Sequence, residues 1–261
     1  MNYPDDWQVP EFKINELSQK GQNYAICVFT INEGSNFQRQ IHEMEALSHT
    51  FDIIIADGGS NDGSTDPAFL SSNHISVLLT KIGPGKLSAQ MRMALAYSLA
   101  RNYEGIIIVD GNNKDDTSAA ALFSKALDSG FDHVQGSRFI PGGKANRTPF
   151  MRWLAIRLIH SPMISLAAGY RYTDTTNGFR AYSRRLLLDP QVAPFRGIFT
   201  TYELHYYLAI RAARLGYRIT EVPVTRTYPK SGKTPTKISP IQGNLSILKI
   251  LINAVSGRYN P

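Results

Sequence analysis

Cysteine is nearly absent from this chain of 261 residues, and long apolar runs are missing altogether. The single cysteine, Cys27, excludes a disulfide within one chain, and its place in the apolar segment YAICVFT predicts a buried thiol. No stretch approaches the roughly 20 apolar residues that a membrane-spanning helix needs. The opening residues, MNYPDDWQVPEF, lack the basic and apolar regions of a secretory signal. We therefore expect a cytoplasmic protein, and leave open a peripheral contact with the cytoplasmic face of a membrane.

The composition is that of a globular protein with a basic balance. Hydrophobic residues make up 43% of the chain and charged residues 19%, so we expect a folded rather than a disordered chain. The 28 Lys and Arg residues outnumber the 21 Asp and Glu residues, giving a formal charge of +7. Such a charge favours nucleotide phosphates, nucleic acid or acidic lipids as partners. Nucleic acid is disfavoured because the chain has neither an aromatic and basic RNA-binding motif nor a helix-turn-helix pattern.

Short apolar runs alternate with helical patterns through the first half of the chain. The predicted strands cover residues 24–29, 51–56, 75–79, 106–109 and 133–136, and the predicted helices cover 36–49, 87–102 and 117–129. This alternation, and the continuous runs in DIIIAD and GIIIVD, predict an α/β fold with a mainly parallel central sheet. Ligands of such sheets bind beyond the carboxyl ends of the strands.

The second half is less regular. Residues 151–168 predict a helix kinked near Pro162, residues 202–215 an amphipathic helix, and residues 218–224 a further strand. The segment TYPKSGKTPTKISP is a loop by composition. The apolar segment 241–255 predicts a terminal helix that either docks on the protein or lies at a membrane interface.

Two polar clusters follow the first strands. In FTINEGSN, Asn32 and Glu33 either turn the chain into the next helix or offer a carboxylate to a ribose or base. In ADGGSNDGST, the glycines allow the backbone to approach a ligand, and Asp57 at the strand end can accept hydrogen bonds from a nucleoside. The cluster matches neither a Walker loop nor a G-x-G-x-x-G fingerprint, which disfavours ATP and NAD.

The segment VDGNNKDD places Asp110 at the end of a predicted buried strand. A carboxylate there suits a divalent cation that shares its coordination shell with a diphosphate. The amide oxygen of Asn112 can also coordinate, although it carries no charge. Asp115 and Asp116 are expected to cap the helix that begins near Thr117.

Three further segments carry candidate catalytic groups. Arg138, in VQGSRFIPGGKANR, can pair with phosphate oxygens, unless this basic stretch is only a solvated loop. Asp174, in YTDTTNGFRAY, could be a general base or an organiser of the acceptor. Glu203 is a second candidate base, but its spacing from Thr200 is also that of a helix capping box.

In their order along the chain, these segments resemble family 2 glycosyltransferases with the GT-A fold. The resemblance is to the branch that contains dolichol-phosphate mannosyltransferase and related polyprenyl-phosphate glycosyltransferases, and it covers residues 24–239. It implies a Rossmann-like sheet flanked by helices and no transmembrane helix. We expect an N-terminal extension at 1–22, a glycosyltransferase domain at 23–228, and a basic loop with a C-terminal helix at 229–261 in the same domain. The motifs that carry it are TINEGSN, ADGGSNDGS, VDGN, GSRFIPGG, DTTNGFRAY, YELHYYLAIRAARLGYRITEVPV and SGKTPTKIS.

The resemblance also assigns roles. It implies that Glu33 and Asp57 contact the ribose and base of the donor, and that Asp110 with Asn112 holds Mg²⁺ or Mn²⁺. It suggests that Arg138 approaches the phosphate of the donor or of the acceptor, and it places Asp174 beside the acceptor. Gly58 and Asn112 depart from the pattern because many members have an acid at both positions. The remaining residues expected to contact the nucleotide sugar are Thr30, Asn32, Gly59, Gly111, Arg138 and Lys233, with Lys237 as the alternative to Lys233.

The reaction expected from the resemblance is transfer of a sugar from a nucleoside diphosphate, with inversion at the anomeric carbon. A lipid phosphate, a lipid-linked glycan and a carbohydrate remain open as acceptors in glycan or cell-envelope biosynthesis. A lipid phosphate is already anionic and needs cations to position it, whereas a sugar hydroxyl needs a carboxylate base. A non-catalytic protein that binds sugar nucleotides, and less so a sugar nucleotidyltransferase, are the alternatives. The oligomeric state stays open.

Overall fold

A computed structural model of the chain describes residues 3–230 and 242–261. The strands are β1 (Phe12–Glu16), β2 (Tyr24–Thr30), β3 (Asp52–Asp57), β4 (Val77–Lys81), β5 (Gly105–Asp110), β6 (His133–Ser137), β7 (Lys144–Asn146), β8 (Arg180–Ser183), β9 (Ile219–Pro223) and β10 (Thr225–Thr227). The α-helices are α1 (Ser35–Glu43), α2 (Pro67–Ser72), α3 (Leu87–Ala100), α4 (Ala120–Asp128), α5 (Phe150–Ala155), α6 (Ser161–Ala168), α7 (Arg184–Leu188), α8 (Glu203–Arg214) and α9 (Gln242–Val255). A π-helical turn, Ile156–His160, joins α5 to α6, and short 3₁₀ helices cover Glu45–His49 and Thr117–Ala119.

The main sheet has the strand order β1-β4-β3-β2-β5-β8-β6-β9. Strands β4, β3, β2, β5, β6 and β9 share one direction, whereas β1 and β8 run antiparallel to their neighbours. The predicted mainly parallel α/β fold is therefore confirmed. A second sheet pairs β7 with β10, and it brings two distant segments of the chain together beside the main sheet.

The central strands are buried on both faces, as their continuous apolar runs predict. In β5, Ile106 and Ile108 belong to the core that contains residues of α3 and α8. The alternate residues, Ile107 and Val109, belong to the opposite core, which includes Phe123 of α4. Because successive side chains of a strand point to opposite faces, a sheet covered on both sides requires apolar residues at every position.

Strand β8 has no counterpart in the predicted elements. Its sequence, RAYS, begins with a charged residue, and Arg180 is nevertheless fully buried. The guanidinium is satisfied by backbone carbonyls, donating from Nε to Asn177 (3.0 Å), from Nη1 to His205 (2.6 Å) and from Nη2 to Thr175 (2.7 Å). These carbonyls come from tertiary structure, so the sequence pattern did not indicate the strand.

Both ends of the chain pack against the fold, one at the edge of the main sheet and the other in the core. Residues 1–22 were predicted to be an extension, and within them β1 lies antiparallel to β4 at the edge of the sheet. At the other end, α9 packs Ile250, Leu251 and Ala254 into the core, which agrees with the docked alternative for this helix. The predicted division at 22 and 228 stays a prediction.

The sequence predicted a buried thiol at Cys27 and no membrane-spanning helix. Cys27 is buried, its Sγ lies 3.6 Å from Ser98 Oγ, and burial raises its pKa to about 12, which makes the thiol unreactive. In the part of the chain that the structure describes, no helix has both the length and the apolar content for a membrane crossing.

Candidate active site

The candidate site lies along one edge of the main sheet. Strands β2, β3, β5 and β6 run in the same direction, so Thr30, Asp57, Asp110 and Ser137 end at the same edge. Strand β8 runs the opposite way and therefore begins there, which brings the preceding loop with Asp174 to the same place. The topology thus gathers the predicted segments from more than a hundred residues of chain.

The loops after β2 and β3 are tied to each other through Asn32. Its backbone N–H donates to Ser60 Oγ (2.9 Å), and its side-chain oxygen accepts from the N–H of Asn61 (2.9 Å). Asn32 has a φ of 47°, a left-handed conformation that asparagine tolerates. Two of the predicted donor loops therefore form one surface.

The predicted nucleotide contacts of these loops occupy different environments. Asp57 is buried, and its Oδ1 accepts from the N–H (2.9 Å) and Oγ (2.6 Å) of Ser60, so the carboxylate shapes the loop. Gly59 has a φ of 96°, which L side chains rarely adopt. Thr30 Oγ1 is buried without a hydrogen-bond partner among the described residues. Burial lowers the pKa of Lys114, and the half-buried Glu33 is close enough to oppose part of that lowering.

The turn after β5 is held by Gln40, a residue that sequence reasoning missed. Its Nε2 donates to the carbonyl of Asp110 (2.9 Å), and its Oε1 accepts from the N–H of Asn113 (2.6 Å). Gly111 fits tightly in this turn, because an added Cβ would lie 3.0 Å from the carbonyl oxygen of Phe29. The only signal was its helical spacing, which puts Gln40 on the same face of α1 as the apolar residues Phe37 and Ile41.

Asp110, at the start of this turn, is partly exposed. Its side chain is 27% exposed, and its Oδ2 accepts from Nη2 of Arg226 at 3.1 Å. The same guanidinium pairs through Nη1 with Asp115, whose side chain is fully buried. Arg226 belongs to β10 and was not among the predicted site residues. An arginine two positions beyond the predicted strand at 218–224 was the only signal for it.

The expectation that Asp115 caps a helix is wrong. Asp116 is the capping residue, since its Oδ1 accepts from the N–H of Ser118 at 3.1 Å. Asp115 lies in the interior and forms an isolated β-bridge with Arg226. Burial raises the pKa of Asp115 to about 6, an effect that Arg226 partly opposes.

Arg138 and Asp174 form a second buried ion pair. Nε of Arg138 donates to Oδ2 of Asp174 at 2.6 Å, and Nη2 donates to Oδ1 at 2.9 Å, in the bidentate arrangement. Burial alone raises the pKa of Asp174, but the guanidinium outweighs it and holds this pKa below its ordinary value. Thr176 also donates to Oδ1 of Asp174, from its N–H at 3.2 Å. The base role of Asp174 stays a prediction, and these contacts favour a positioning role.

Glu203 makes contacts expected of a helix capping box, which was the structural alternative to its role as a base. One carboxylate oxygen accepts from the N–H groups of Thr200 (3.0 Å) and Thr201 (2.6 Å), which is the reciprocal half of a capping box. The other accepts from Oγ1 of Thr201 at 2.6 Å. The side chain is buried at the start of α8, and its catalytic role stays a prediction.

Cations surround Tyr228 next to these acids. Arg152 donates from Nη1 to the Tyr228 hydroxyl at 3.0 Å, and Nζ of Lys114 lies 5.9 Å from the ring centroid. Burial raises the pKa of this phenol, but the charges of Arg226 and Arg152 more than offset it, so the net shift is downward. Cations are therefore concentrated around Tyr228, which suits phosphate groups. Lys233 and Lys237 lie outside the described residues.

The donor atoms of Asp110 and Asn112 fit a hard divalent cation. The buried Oδ1 of Asn112 has no hydrogen-bond partner among the described residues, so it is an oxygen available to a ligand. In residues 3–230 and 242–261, no three His, Cys, Asp or Glu side chains are grouped for a metal. A cation on Asp110 and Asn112 would therefore complete its shell with water and phosphate oxygens, as Mg²⁺ does.

The fold is that of the GT-A class of proteins. A solved structure of glucosyl-3-phosphoglycerate synthase from Mycobacterium tuberculosis, in complex with Mn²⁺, UDP and phosphoglyceric acid, matches with a TM-score of 0.65. The match covers 91% of this chain and 79% of that chain at 17% identity. No family model matches the chain.

Two curated relatives identify the family. The chain is 30% identical over 203 residues to undecaprenyl-phosphate mannosyltransferase of Micrococcus luteus, covering 75% of this chain and 80% of that protein. It is 25% identical over 244 residues to polyprenol monophosphomannose synthase of Mycolicibacterium smegmatis, covering 92% and 89%. The chain belongs to the polyprenyl-phosphate branch of the family 2 glycosyltransferases, as its motifs predicted, and it is a glycosyltransferase.

Proposed function

We propose that this glycosyltransferase transfers a sugar, with inversion, from a nucleoside diphosphate to the phosphate of a polyprenyl lipid at a membrane surface. The relatives named above act on undecaprenyl phosphate and form polyprenol monophosphomannose by name. The observation that carries the proposal is a cluster of cations, Arg138, Arg152 and Arg226, next to an exposed apolar helical surface.

On the donor side, a divalent cation, Mg²⁺ or Mn²⁺, is held by Asp110 and Asn112. When bound, it neutralises charge on the leaving diphosphate. Asn112 supplies an oxygen without adding negative charge, so the diphosphate contributes much of the attraction for the cation. The nucleoside and diphosphate are contacted by Thr30, Asn32, Glu33, Asp57, Gly59, Asp110, Gly111 and Arg138, and a contact by Lys233 stays a prediction from the sequence.

On the acceptor side, a phosphate needs orientation more than deprotonation. A lipid monophosphate has a second pKa near 6 and is largely dianionic at neutral pH. Arg138 presents a cation whose direction is fixed by Asp174, and Arg152 adds a second cation beside Tyr228. With this acceptor, Asp174 acts as a positioning residue, and neither it nor Glu203 needs to accept a proton.

An exposed surface, which we call the apolar face, would contact the membrane that holds the acceptor's lipid tail. It consists of outward side chains on α5, the π-turn, α6 and α9. Phe150 and Met151 are each 71% exposed, and Leu166 is 83% exposed. The other members are Trp153, Leu158, Ile159, Leu245, Leu248 and Ile252. Exposed apolar side chains in such numbers are typical of a surface that meets a membrane or a partner.

The apolar face also adjoins the site and carries positive charge. Helix α5 contributes Phe150 and Met151 to the face and Arg152 to the hydroxyl of Tyr228. Helices α6 and α9 pack against each other, so they are neighbours within the proposed apolar face. Arg157 on the π-turn and the exposed Lys249 on α9 suit the anionic headgroups of a membrane. We therefore propose peripheral membrane contact through the apolar face.

The activity is tested with undecaprenyl phosphate in detergent micelles and a panel of UDP-, GDP-, CDP- and dTDP-hexoses, with Mn²⁺, Mg²⁺ or EDTA. We expect one donor to give a polyprenyl phosphohexose by mass spectrometry, with activity lost in EDTA. Transfer to soluble oligosaccharides but not to the lipid phosphate would overturn the proposed acceptor. No transfer from any donor to either acceptor would overturn the transfer reaction.

Membrane contact is tested by flotation with vesicles of phosphatidylcholine and phosphatidylglycerol. The triple variant Phe150→Ser, Met151→Ser and Leu166→Ser is expected to float at least about fivefold less than the wild type, because buried apolar area drives interfacial binding. Leu122→Ser is the control, since Leu122 is an exposed leucine on α4 and lies outside the apolar face. Equal flotation of the triple variant and the wild type would rule out the apolar face as the contact.

A further inference from the structure

Arg226 already neutralises the acid that the proposed cation needs. Its guanidinium lies between Asp110 and Asp115, with Nη2 at 3.1 Å from Asp110 Oδ2 and Nη1 paired with Asp115. The other oxygen of Asp110 faces Gly178, where an added Cβ would lie 2.9 Å from Oδ1. The carboxylate is thus confined between an arginine on one side and backbone on the other.

A divalent cation on Asp110 competes with this arrangement. Because Arg226 is buried and positively charged, a cation that arrives alone meets a carboxylate whose charge is already compensated. The two cations also repel each other across one carboxylate. The neutral oxygen of Asn112 gives the cation a ligand but no charge to oppose that repulsion. Metal binding alone is therefore disfavoured by Arg226.

Binding of a nucleoside diphosphate relieves this competition between Arg226 and the cation for Asp110. Its phosphate oxygens offer Arg226 a bidentate partner of the kind that guanidinium prefers, and they offer the cation further ligands. We propose that, before the donor binds, Arg226 compensates the charge of Asp110 in place of the cation. When the donor binds, Arg226 exchanges Asp110 for phosphate oxygens, and this exchange couples metal binding to diphosphate binding. This proposal rests on the proposed function, since it assumes that the donor diphosphate and its cation meet at Asp110.

The coupling is measured by titrating Mn²⁺ and following the electron paramagnetic resonance signal of the free ion, with no diphosphate, with UDP and with GDP. The test protein carries Arg226→Gln together with Asp115→Asn, so that no unpaired acid remains in the interior. We expect UDP or GDP to tighten Mn²⁺ binding at least about tenfold in the wild type. In the double variant, Mn²⁺ alone should bind about fivefold tighter or more, and the effect of diphosphate should shrink by the same factor.

Arg152→Gln is the matched control, because Arg152 is a neighbouring cation that pairs with Tyr228 and with neither acid of the Arg226 cluster. It removes the same charge, so it should leave Mn²⁺ affinity within about twofold if Arg226 acts by its direct contact. Unchanged Mn²⁺ affinity and coupling in the double variant would overturn the proposal, provided that both proteins unfold cooperatively. Mn²⁺ binding by neither protein, with or without diphosphate, would also overturn it. The lipid-phosphate assay judges the transfer reaction separately.

Discussion

Two buried arginines pair with aspartates at the same edge of the sheet, yet their surroundings differ. Arg138 binds one acid, Asp174, through two hydrogen bonds, and both side chains are almost completely buried. Arg226 is shared between two acids, of which Asp115 is buried and Asp110 is partly exposed. The acid of the first pair is out of reach of a ligand, whereas the second cluster leaves Asp110 within reach.

The difference indicates different tasks. A closed bidentate pair fixes the direction of a guanidinium at low reorganisation cost, which suits a group that must be oriented before the reaction. A shared guanidinium can exchange one partner and keep the other, so the interior is never left with an unpaired charge. We therefore interpret the Arg138 pair as a fixed element and the Arg226 cluster as one that rearranges.

The largest effect is expected at the exposed acid of the rearranging cluster. Asp110→Ala should lower kcat/KM about 10³-fold or more, since it removes the charged ligand proposed for the cation. Folding should persist, because Arg226 keeps its contact with Asp115. Asn112→Asp should preserve or tighten Mn²⁺ binding. Turnover by Asp110→Ala at the wild-type rate would remove Asp110 from the metal site.

The Arg138–Asp174 pair should contribute more to the free energy of unfolding than an exposed ion pair does. Asp174→Asn leaves Arg138 buried with its anionic partner gone, and we expect a loss of about 3–5 kcal/mol in the free energy of unfolding by urea. Arg185→Gln is the control, because Arg185 pairs with Asp132 but its side chain is 67% exposed, so about 1 kcal/mol or less is expected. Similar losses for both variants would show that burial does not separate the two pairs.

The two clusters should also differ in their response to pH. The pKa of Asp115 is raised from 3.8 to about 6, so the folded state holds its proton more tightly than the unfolded chain. Stability contributed by this group is present below about pH 4 and is lost as pH rises to about 6, at up to ~1.4 kcal/mol per pH unit. The pKa of Asp174 is lowered, so its contribution is present above pH 3.8 and is lost as pH falls.

Urea unfolding of the wild type and Asp115→Asn between pH 4 and 8 measures this contribution. The stability of the wild type relative to the variant should fall between pH 4 and 6 and stay level above. A difference that does not vary with pH would show that Asp115 does not titrate in that window.

The smallest effect tests how tightly the exposed acid is confined. Gly178→Ala places a Cβ about 3 Å from the Asp110 carboxylate and should weaken Mn²⁺ binding in the presence of diphosphate about tenfold. Gly21→Ala is the control, because its nearest neighbour, Asp52 Oδ1, would lie 3.7 Å from the new Cβ. Equal Mn²⁺ affinity in the two variants would mean that the carboxylate can move away from Gly178.

Several features of the site were predictable from local sequence. The run GIIIVD predicted a buried strand that ends at Asp110, and the structure has this strand at Gly105–Asp110. The spacing of Thr200 and Glu203 gave the capping arrangement as an alternative, and the contacts of Glu203 follow it. Both signals are local, since they depend on residues that lie within one turn or one strand.

Other features depend on partners that are distant in the chain. Asp115 and Asp116 are adjacent and chemically identical, but only Asp116 caps a helix, while Asp115 turns inward to Arg226, 111 residues away. Gln40 holds a turn that begins 70 residues later. No periodicity or spacing encodes such pairings, because they arise when the β7 and β10 segments and the helices close around the sheet edge.

The sequence by itself determined the alternation of buried strands and helices, the ends of the strands that carry Asp57 and Asp110, and the family. Burial and hydrogen bonding within a strand, turn or helix start are local, so the pattern of residues is enough to specify them. Only the tertiary structure decided which aspartate each arginine holds and which of them stays exposed. Those pairings lower the free energy by satisfying buried charges across the fold, and that requirement exists only once the chain has packed.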